Sequence, residues 1–427
     1  MKAYKDMSAQ ELAQEYKSVS AKFEELKGMA LKLNMARGKP GKEQLDLVSD
    51  ILSVLPADAD FMSDGIETRN YGELSGIPAA KALFAEILGC KAEEVFVGGN
   101  ASLQLMYDTI SKAYTHGMPK SEKPWAKLDE VKWLCPAPGY DRHFKVSESF
   151  GMTMITIPMT AEGPDMDMVE ELIKDPAVKG MWNVPKYSNP EGVIYSAETI
   201  RRIASMKPAA PDFVVMWDNA YCIHEFEGEY VEFPDIISLC AENGNDGMVF
   251  EFASTSKVTF PGAGVAVMAS SADNIKYMEK LVGIQTIGFD KLNQLRHVRF
   301  LKNAENTASI MRGHAACIRP KFEAMLSILE KELGELGVAK WTKPNGGYFI
   351  SLDLPNGCAK RVYELAKAAG VTLTTAGATF PYGRDPHDRN LRLAPTFATV
   401  EEISAATAVL TCAIRLVTAE KLLADRA

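Results

Sequence analysis

Short apolar runs alternate with stretches of helical periodicity from about residue 69 onward. Helix-like spacing of apolar residues fills the intervals, as at 79–88, 102–113 and 168–174. This alternation is typical of an α/β fold in which helices cover both faces of a mostly parallel sheet. A Pro-Gly turn between the last two runs favours an antiparallel pair there. The runs that predict a seven-stranded sheet are 95–97, 131–134, 154–157, 180–183, 213–217, 248–252 and 265–268.

The two chain ends have a different pattern. Ser8 and Glu11 form a capping-box pattern before an amphipathic stretch, and a second helix is expected at 43–55. A long helix is expected from about 290 to 314 and past Pro320. Further elements are expected after it, namely helices at 322–336, 359–368 and 400–423 and strands at 348–352 and 371–373.

These patterns predict two domains. One hydrophobic core rarely grows beyond about 250–300 residues, and this chain has 427. We therefore expect a large domain at 50–310 that contains the sheet, and a smaller α+β domain built from 1–49 and 311–427.

Composition narrows the class of protein. The formal charge of −9 argues against binding to nucleic acid, which needs a basic surface. The seven cysteines are scattered, which favours free thiols in a reducing compartment, and the histidines have no metal-ligand spacing. The first 32 residues contain no apolar segment of the signal-peptide kind, and no run reaches the ~18 apolar residues of a membrane span. We therefore expect a cytoplasmic protein without a metal site or a membrane partner.

Lys257 is the most informative candidate residue. It follows the apolar run 248–252 and the small hydroxyl residues Ser254, Thr255 and Ser256. Burial at a strand end would lower the pKa of this lysine, and a neutral amine can form a Schiff base with an aldehyde. The alternative is a solvent-directed lysine on a loop.

Other polar residues also stand at strand ends, where open α/β sheets bind ligands. Gly99, Asn100 and Ser102 lie between a strand and a helix, so they suit either a phosphate site or a plain connection. Asp218 ends an apolar strand, where it can pair with a cationic ring nitrogen or cap a helix. No dinucleotide or P-loop spacing is present.

Four more residues have two interpretations each. Tyr140 can stack on a flat ligand or lie in the core, and Tyr221 can donate its phenol or simply pack. Asn189 can donate an amide hydrogen bond or start a turn. Arg392 stands between two leucines, so its guanidinium is expected to be buried against a ligand carboxylate or in an intrachain salt bridge.

Taken in order, these segments resemble the class I aminotransferases, which are pyridoxal-phosphate enzymes of fold type I. Stretches at 36–40, 139–143 and 183–190 are similar to a divergent aspartate aminotransferase branch related to the aminotransferase domains of MocR-type regulators. The matching residues are Tyr71; Gly98, Gly99 and Asn100; Pro138, Gly139 and Tyr140; Asn189, Pro190, Glu191 and Gly192; Asp218, Asn219, Ala220 and Tyr221; Ser254, Thr255, Ser256 and Lys257; Gly346, Gly347 and Tyr348; and Leu391, Arg392 and Leu393.

The resemblance implies a role for each catalytic residue. Lys257 would hold pyridoxal 5′-phosphate as an internal aldimine and would later move a proton at the substrate Cα. Asp218 would pair with the ring nitrogen, and His143 would orient it. Tyr221 and Asn189 would bind the phenolic oxygen of the ring.

The resemblance also implies the remaining contacts. Tyr140 would stack on the cofactor ring. Arg392 and the backbone of Gly38 would hold the substrate α-carboxylate, with Asn189 beside them. Tyr71 would reach the phosphate of a neighbouring subunit, which implies a homodimer with shared active sites. The residues that would hold the phosphate within one subunit are Gly99, Asn100, Ser102 and Ser254.

One departure affects the phosphate site. Many relatives have an arginine shortly after the lysine, but residues 261–266 contain none. The phosphate must therefore find positive charge elsewhere or depend on backbone amides and the helix dipole.

The expected reaction is transfer of an amino group between an L-amino acid, aspartate first, and 2-oxoglutarate in a ping-pong cycle. Alanine and aromatic donors stay open. A dicarboxylic substrate needs a second cation, and Arg37, Arg142, Lys291 and Arg296 are candidates. A lyase with the same cofactor is an alternative, because the bond that breaks depends on substrate orientation. A non-catalytic effector-binding module is another, disfavoured because no basic winged-helix segment precedes the fold.

Overall fold

The computed structural model describes residues 2–426 and contains a large sheet, a smaller sheet and two short strand pairs. Within those residues the strands are β1 Leu33–Asn34, β2 Met62–Ser63, β3 Ile66–Glu67, β4 Val95–Val97, β5 Lys132–Ala137, β6 Thr153–Thr160, β7 Gly163–Pro164, β8 Val178–Asn183, β9 Val214–Asp218, β10 Val249–Ser254, β11 Ala266–Ala269, β12 Lys340–Trp341, β13 Ile350–Asp353, β14 Val371–Thr372 and β15 Asn390–Leu393. The α-helices are α1 Ala9–Gly28, α2 Lys42–Leu47, α3 Pro78–Leu88, α4 Ser102–Thr115, α5 Asp141–Ser149, α6 Met166–Leu172, α7 Ala197–Ser205, α8 Ile236–Glu242, α9 Ala272–Gln285, α10 Lys291–Leu301, α11 Ala304–Leu333, α12 Ala359–Ala368 and α13 Val400–Ala424.

The large sheet has the order β4-β11-β10-β9-β8-β5-β6-β7. All seven predicted strands are present, and the five from β10 to β6 run parallel to their neighbours in that order. The pair β10 and β11 is antiparallel, as the Pro-Gly turn predicts. The eighth strand, β7, is a two-residue edge strand that is too short to leave a periodic pattern. The prediction of seven strands is therefore correct for the body of the sheet and misses this edge.

Apolar side chains cover both faces of the large sheet. Val215 and Trp217 of β9 belong to one core, and Val214 and Met216 belong to the core on the opposite face. This division follows from the period of two along a strand. Every residue of β8 and β9 is buried, which explains why parallel strands read as nearly continuous apolar runs.

The smaller sheet, β12-β13-β15, belongs to a third core that draws residues from both chain ends. Leu12 and Phe23 of α1 share this core with Phe322 of α11 and Ile403 of α13. Helix α13 is long and apolar enough to cross a membrane by length and composition, although no membrane span was predicted. About 72% of its apolar stretch is buried inside the molecule, so this composition suits a core helix.

Three helix predictions are wrong in detail. The long helix expected from 290 is interrupted at Lys302, whose φ of 63° cannot continue a right-handed helix. Helix α11 then continues through Pro320, so the helix predicted at 322–336 is its second half. The missing proline N–H removes one backbone bond, but burial of Phe322 and Met325 stabilises the continuous helix.

The helix predicted at 43–55 is instead the short α2 followed by a 3₁₀ turn at Ser49–Ser53. The strands predicted at 348–352 and 371–373 are β13 and β14, with ends moved by one or two residues. The domain boundaries at 49/50 and 310/311 stay proposals, and the second falls within α11.

Candidate active site

A cavity of about 590 Å³ lies where the carboxyl ends of the central strands meet the smaller sheet. This is the edge at which open α/β sheets bind ligands. The cavity brings together residues that are far apart in the chain. Those predicted from the sequence that line it are Gly38, Ser102, Tyr140, Asn189, Asp218, Tyr221, Lys257 and Arg392.

Lys257 ends the 3₁₀ turn Thr255–Lys257 that directly follows β10. A hydrogen bond holds this turn in place, because the Val265 amide donates to Thr255 Oγ1 at 2.9 Å. The amine Nζ lies 5.0 Å from the centroid of the Tyr221 ring. Burial lowers the pKa of Lys257, and the charge of Asp218 opposes that shift. The result is a lysine with an increased neutral fraction at the wall of a cavity, as a nucleophilic amine requires.

Asp218 is the last residue of β9, and only 3% of its surface is exposed. Its Oδ2 lies 2.9 Å from Nε2 of His143, and that imidazole stacks on Trp182 at a centroid distance of 4.4 Å. Its buried Oδ1 has no hydrogen-bond partner among residues 2–426. A buried carboxylate oxygen without a donor is costly, so this oxygen fits a cationic N–H group of a ligand in the cavity.

The two predicted tyrosines line the same cavity. Tyr140 precedes α5, and burial followed by the charge of Asp218 raises the pKa of its phenol to about 12. Burial also raises the pKa of Tyr221 well above its ordinary value. Both phenols are therefore protonated at neutral pH and can donate hydrogen bonds.

Arg392 lies on β15 and is 6% exposed. Its Nη1 donates to Asp141 Oδ1 at 2.7 Å and to Asn189 Oδ1 at 3.2 Å. Its Nε donates to Thr374 Oγ1 at 3.3 Å, and its guanidinium lies 4.9 Å from the Phe349 ring centroid. The interpretation as an intrachain salt bridge is therefore confirmed, and binding of a ligand carboxylate by this cavity-lining arginine stays a prediction.

Gly38 approaches the same region closely. A Cβ added there would lie 2.5 Å from Cζ of Phe349, so only glycine fits beside that ring. Thr374 and Phe349 were not predicted as site residues. Phe349 directly follows the motif Gly346, Gly347 and Tyr348, a signal that could have identified it, whereas no motif marks Thr374.

The residues predicted to bind the cofactor phosphate do not all line the same cavity. Ser102 begins α4 at the main cavity, whereas Gly99 and Asn100 line a second cavity of about 340 Å³. Ser254 lines neither cavity, and its Oγ donates to Ser256 Oγ at 3.0 Å. Arg296 of α10 also lines the second cavity, and its buried Nε has no partner in the described part of the chain. Arg296 therefore places a cationic side chain beside Gly99 and Asn100, although residues 261–266 contain no arginine.

Tyr71 does not reach the main cavity within one chain. It is 81% exposed and lines a separate cleft, together with Lys291. Lys291 donates to the backbone oxygen of Gly72 at 3.0 Å. Of the four candidate second cations, only Arg37 and Arg142 line the main cavity.

Two buried groups beside the site were also missed. Glu251 of β10 is 3% exposed and accepts a hydrogen bond from Asn219 Nδ2 at 2.8 Å. Its presence inside the apolar run 248–252 is a signal that could have identified it. His224 is equally buried, and neither ring nitrogen has a partner among residues 2–426. Among the same residues, no cluster of three or more His, Cys, Asp or Glu side chains could hold a metal ion.

The large, mainly parallel sheet flanked by helices matches the fold type I structures of class I aminotransferases. A sequence model described as aspartate amino-transferase matches residues 7–426. The chain belongs to that family.

Individual proteins agree with the family match. An aspartate aminotransferase of Corynebacterium glutamicum is 47% identical over 96% of this chain and 95% of its own length. The crystal structure of an aspartate transaminase from the same species superposes with a TM-score of 0.96, at 46% identity, covering 98% of this chain and 99% of that one. The α-aminoadipate aminotransferase of Thermus thermophilus, solved with N-(5′-phosphopyridoxyl)-L-leucine, has a TM-score of 0.70 at 24% identity and covers 93% of this chain and 94% of that one, so it shows the fold.

Proposed function

We propose that this aminotransferase moves the amino group of L-aspartate to 2-oxoglutarate in a ping-pong cycle that uses Lys257. One observation carries the proposal. The low-pKa amine of Lys257, the unpaired Oδ1 of Asp218 and the guanidinium of Arg392 line the same cavity. These are the three groups needed to capture an aldehyde, hold a ring nitrogen and bind a carboxylate.

The cofactor is pyridoxal 5′-phosphate, which when bound supplies an aldehyde and an electron-accepting ring. Asp218 Oδ1 would accept the N–H of the ring nitrogen, with His143 fixing the other carboxylate oxygen. The phenol of Tyr221 would donate to the ring oxygen, with Asn189 beside it, and Tyr140 would lie against the ring face.

The phosphate would lie at the N-terminus of α4, where backbone amides and the helix dipole favour an anion. Ser102 begins that helix, and Gly99 and Asn100 lead into it. We propose Arg296 as the cation that replaces the arginine missing at 261–266, because it lines the same cavity as Gly99 and Asn100 and its buried Nε has no partner among residues 2–426.

Lys257 would move the proton at the substrate Cα. A lysine amine must be neutral to accept a proton, and burial lowers the pKa of this amine, which favours its neutral form. Tyr221, whose ring centroid is 5.0 Å from the amine, would limit the water that reaches it.

Charge at the cavity wall supports a dicarboxylic substrate. Besides Lys257 and Arg392, the cationic side chains Arg37, Lys39 and Arg142 line the cavity, against the two carboxylates Asp141 and Asp218. Arg37 and Arg142 are the proposed partners of the distal carboxylate. The name of the Corynebacterium relative supports the same choice of donor.

A donor panel tests this proposal. With 2-oxoglutarate as acceptor, we expect kcat/KM for aspartate to exceed that for alanine or phenylalanine by at least about tenfold, the gain typical of one added charged contact. Equal values would remove the claim for aspartate. The first half of a ping-pong cycle releases one keto acid per active site without an acceptor, so only continued release beyond that amount would instead indicate the lyase reaction.

A homodimer in the cytoplasm is the proposed working form. In this dimer, Tyr71 of one subunit would contact the phosphate bound by the partner subunit. Ile287, which is 66% exposed, lines the same cleft as Tyr71, and Ile284, three residues earlier in the chain, is 79% exposed. Exposed apolar side chains of this kind are suited to burial in an interface. The seven free cysteines suit a reducing compartment.

A further inference from the structure

The ion pair between Asp141 and Arg392 occupies part of the surface that a substrate carboxylate would use. Both residues line the main cavity, and Oδ1 of Asp141 lies 2.7 Å from Nη1 of Arg392. The guanidinium is 6% exposed and the carboxylate 26% exposed. A bidentate carboxylate needs two N–H groups of one guanidinium, and Nη1 is already donating to Asp141.

We propose that Asp141 is an internal substitute for the substrate α-carboxylate, which neutralises Arg392 in the empty cavity and gives up Nη1 when substrate binds. The inference rests on the proposed function, because that function assigns the α-carboxylate to Arg392. A buried guanidinium without a counter-ion is unfavourable, and Asp141 offsets that cost until a ligand anion takes its place.

The alternative role for Asp141 would be to orient Arg392 permanently. The structure supplies that orientation without Asp141. Asn189 Oδ1 accepts from Nη1, Thr374 Oγ1 accepts from Nε, and the Phe349 ring lies under the guanidinium. Because these contacts orient the guanidinium, the main contribution of the Asp141 carboxylate is its negative charge.

The Asp141 carboxylate also stays in a favourable environment after it separates from Arg392. It is the first residue of α5, where the N-terminal end of the helix dipole stabilises a carboxylate. Because the side chain is partly exposed, it can return to water when Nη1 is taken. Substrate binding therefore includes the cost of breaking one partly buried ion pair.

The test compares anion binding to the wild-type holoenzyme and to Asp141→Asn. Succinate is the dicarboxylate probe and butyrate the monocarboxylate probe, and the dissociation constants are measured by calorimetry. We expect both constants to fall about tenfold in Asp141→Asn, because no ion pair must be broken first. A purely structural role predicts the opposite sign. Unchanged or weaker binding of both anions to Asp141→Asn would overturn the inference.

Two further variants support the interpretation of this test. Asp273→Asn removes the same charge from the first turn of α9, outside the cavity, and is expected to bind both anions like the wild type. Asp141→Ser, which also suits a helix start, replaces Asp141→Asn should the latter fail to fold. Succinate should bind more tightly than butyrate in every variant under the proposed function. Loss of that preference would contradict the dicarboxylate claim while tighter binding to Asp141→Asn still supported the inference.

Discussion

At the scale of single residues, the site depends on buried groups whose usual partner is a ligand atom. Asp218 Oδ1 and Arg296 Nε are both buried and unpaired among residues 2–426. Each such group costs free energy in the folded protein, so a ligand that supplies the missing partner gains that energy on binding. In the proposed site the two groups would meet opposite ends of pyridoxal phosphate, namely its ring nitrogen and its phosphate.

Arg296→Gln tests the phosphate end. Removing the positive charge should raise the dissociation constant for pyridoxal phosphate about tenfold or more, as expected for one lost charge-assisted contact. The constant is measured by fluorescence titration of the apoenzyme. Arg312→Gln, an exposed arginine on α11, is the matched control. Equal affinities in both variants would show that Arg296 does not bind the phosphate.

At the scale of elements, the sequence predicts strands that appear as apolar runs, but it does not predict contacts between elements that are distant in the chain. The strands β4 to β6 and β8 to β11 are visible as apolar runs because both faces of the sheet are covered. The residues at their carboxyl ends, such as Lys257 and Asp218, are visible because polar groups there interrupt the runs. The contact of Asp141 with Arg392 joins two distant elements, and an acidic residue at a helix start is ordinary by itself.

Strand β10 carries a carboxyl group whose titration should be measurable. Burial raises the pKa of Glu251 to about 8 from 4.5. Between these two values the unfolded chain releases the proton while the folded protein retains it, so wild-type stability should fall as pH rises through that window. Glu251→Gln keeps the contact with Asn219 but cannot ionise, and its stability should fall less from pH 5 to 8.

Urea unfolding at a series of pH values measures this difference. Glu171→Gln, which removes an exposed carboxylate, is the control and should follow the wild type. Parallel curves for Glu251→Gln and the wild type would contradict a buried, protonated Glu251.

At the scale of the whole molecule, the proposed site would be completed by Tyr71 of a second subunit. This tyrosine is 81% exposed and lines a cleft other than the one with Lys257. A symmetric dimer would place the same patch of each subunit against the other and would complete two sites at once. The two chain ends form the core beside the smaller sheet, so the chain crosses between the proposed domains more than once.

Mixed dimers test the shared site. Lys257→Ala and Tyr71→Ala subunits, each with low activity alone, are unfolded together and refolded as a mixture. Random pairing makes half of the dimers hybrid, and each hybrid has one complete site, so about a quarter of wild-type activity should return. Activity no higher than the average of the two separate variants would contradict a site shared across the dimer.

The most direct measurement concerns Lys257 itself. Borohydride treatment of the wild-type protein with pyridoxal phosphate, followed by peptide mass spectrometry, should find the phosphopyridoxyl group on Lys257. The Lys257→Ala protein should fold, carry no such group and lack transaminase activity. Absence of the group from position 257 in the wild type, or transaminase activity retained by Lys257→Ala, would contradict the account.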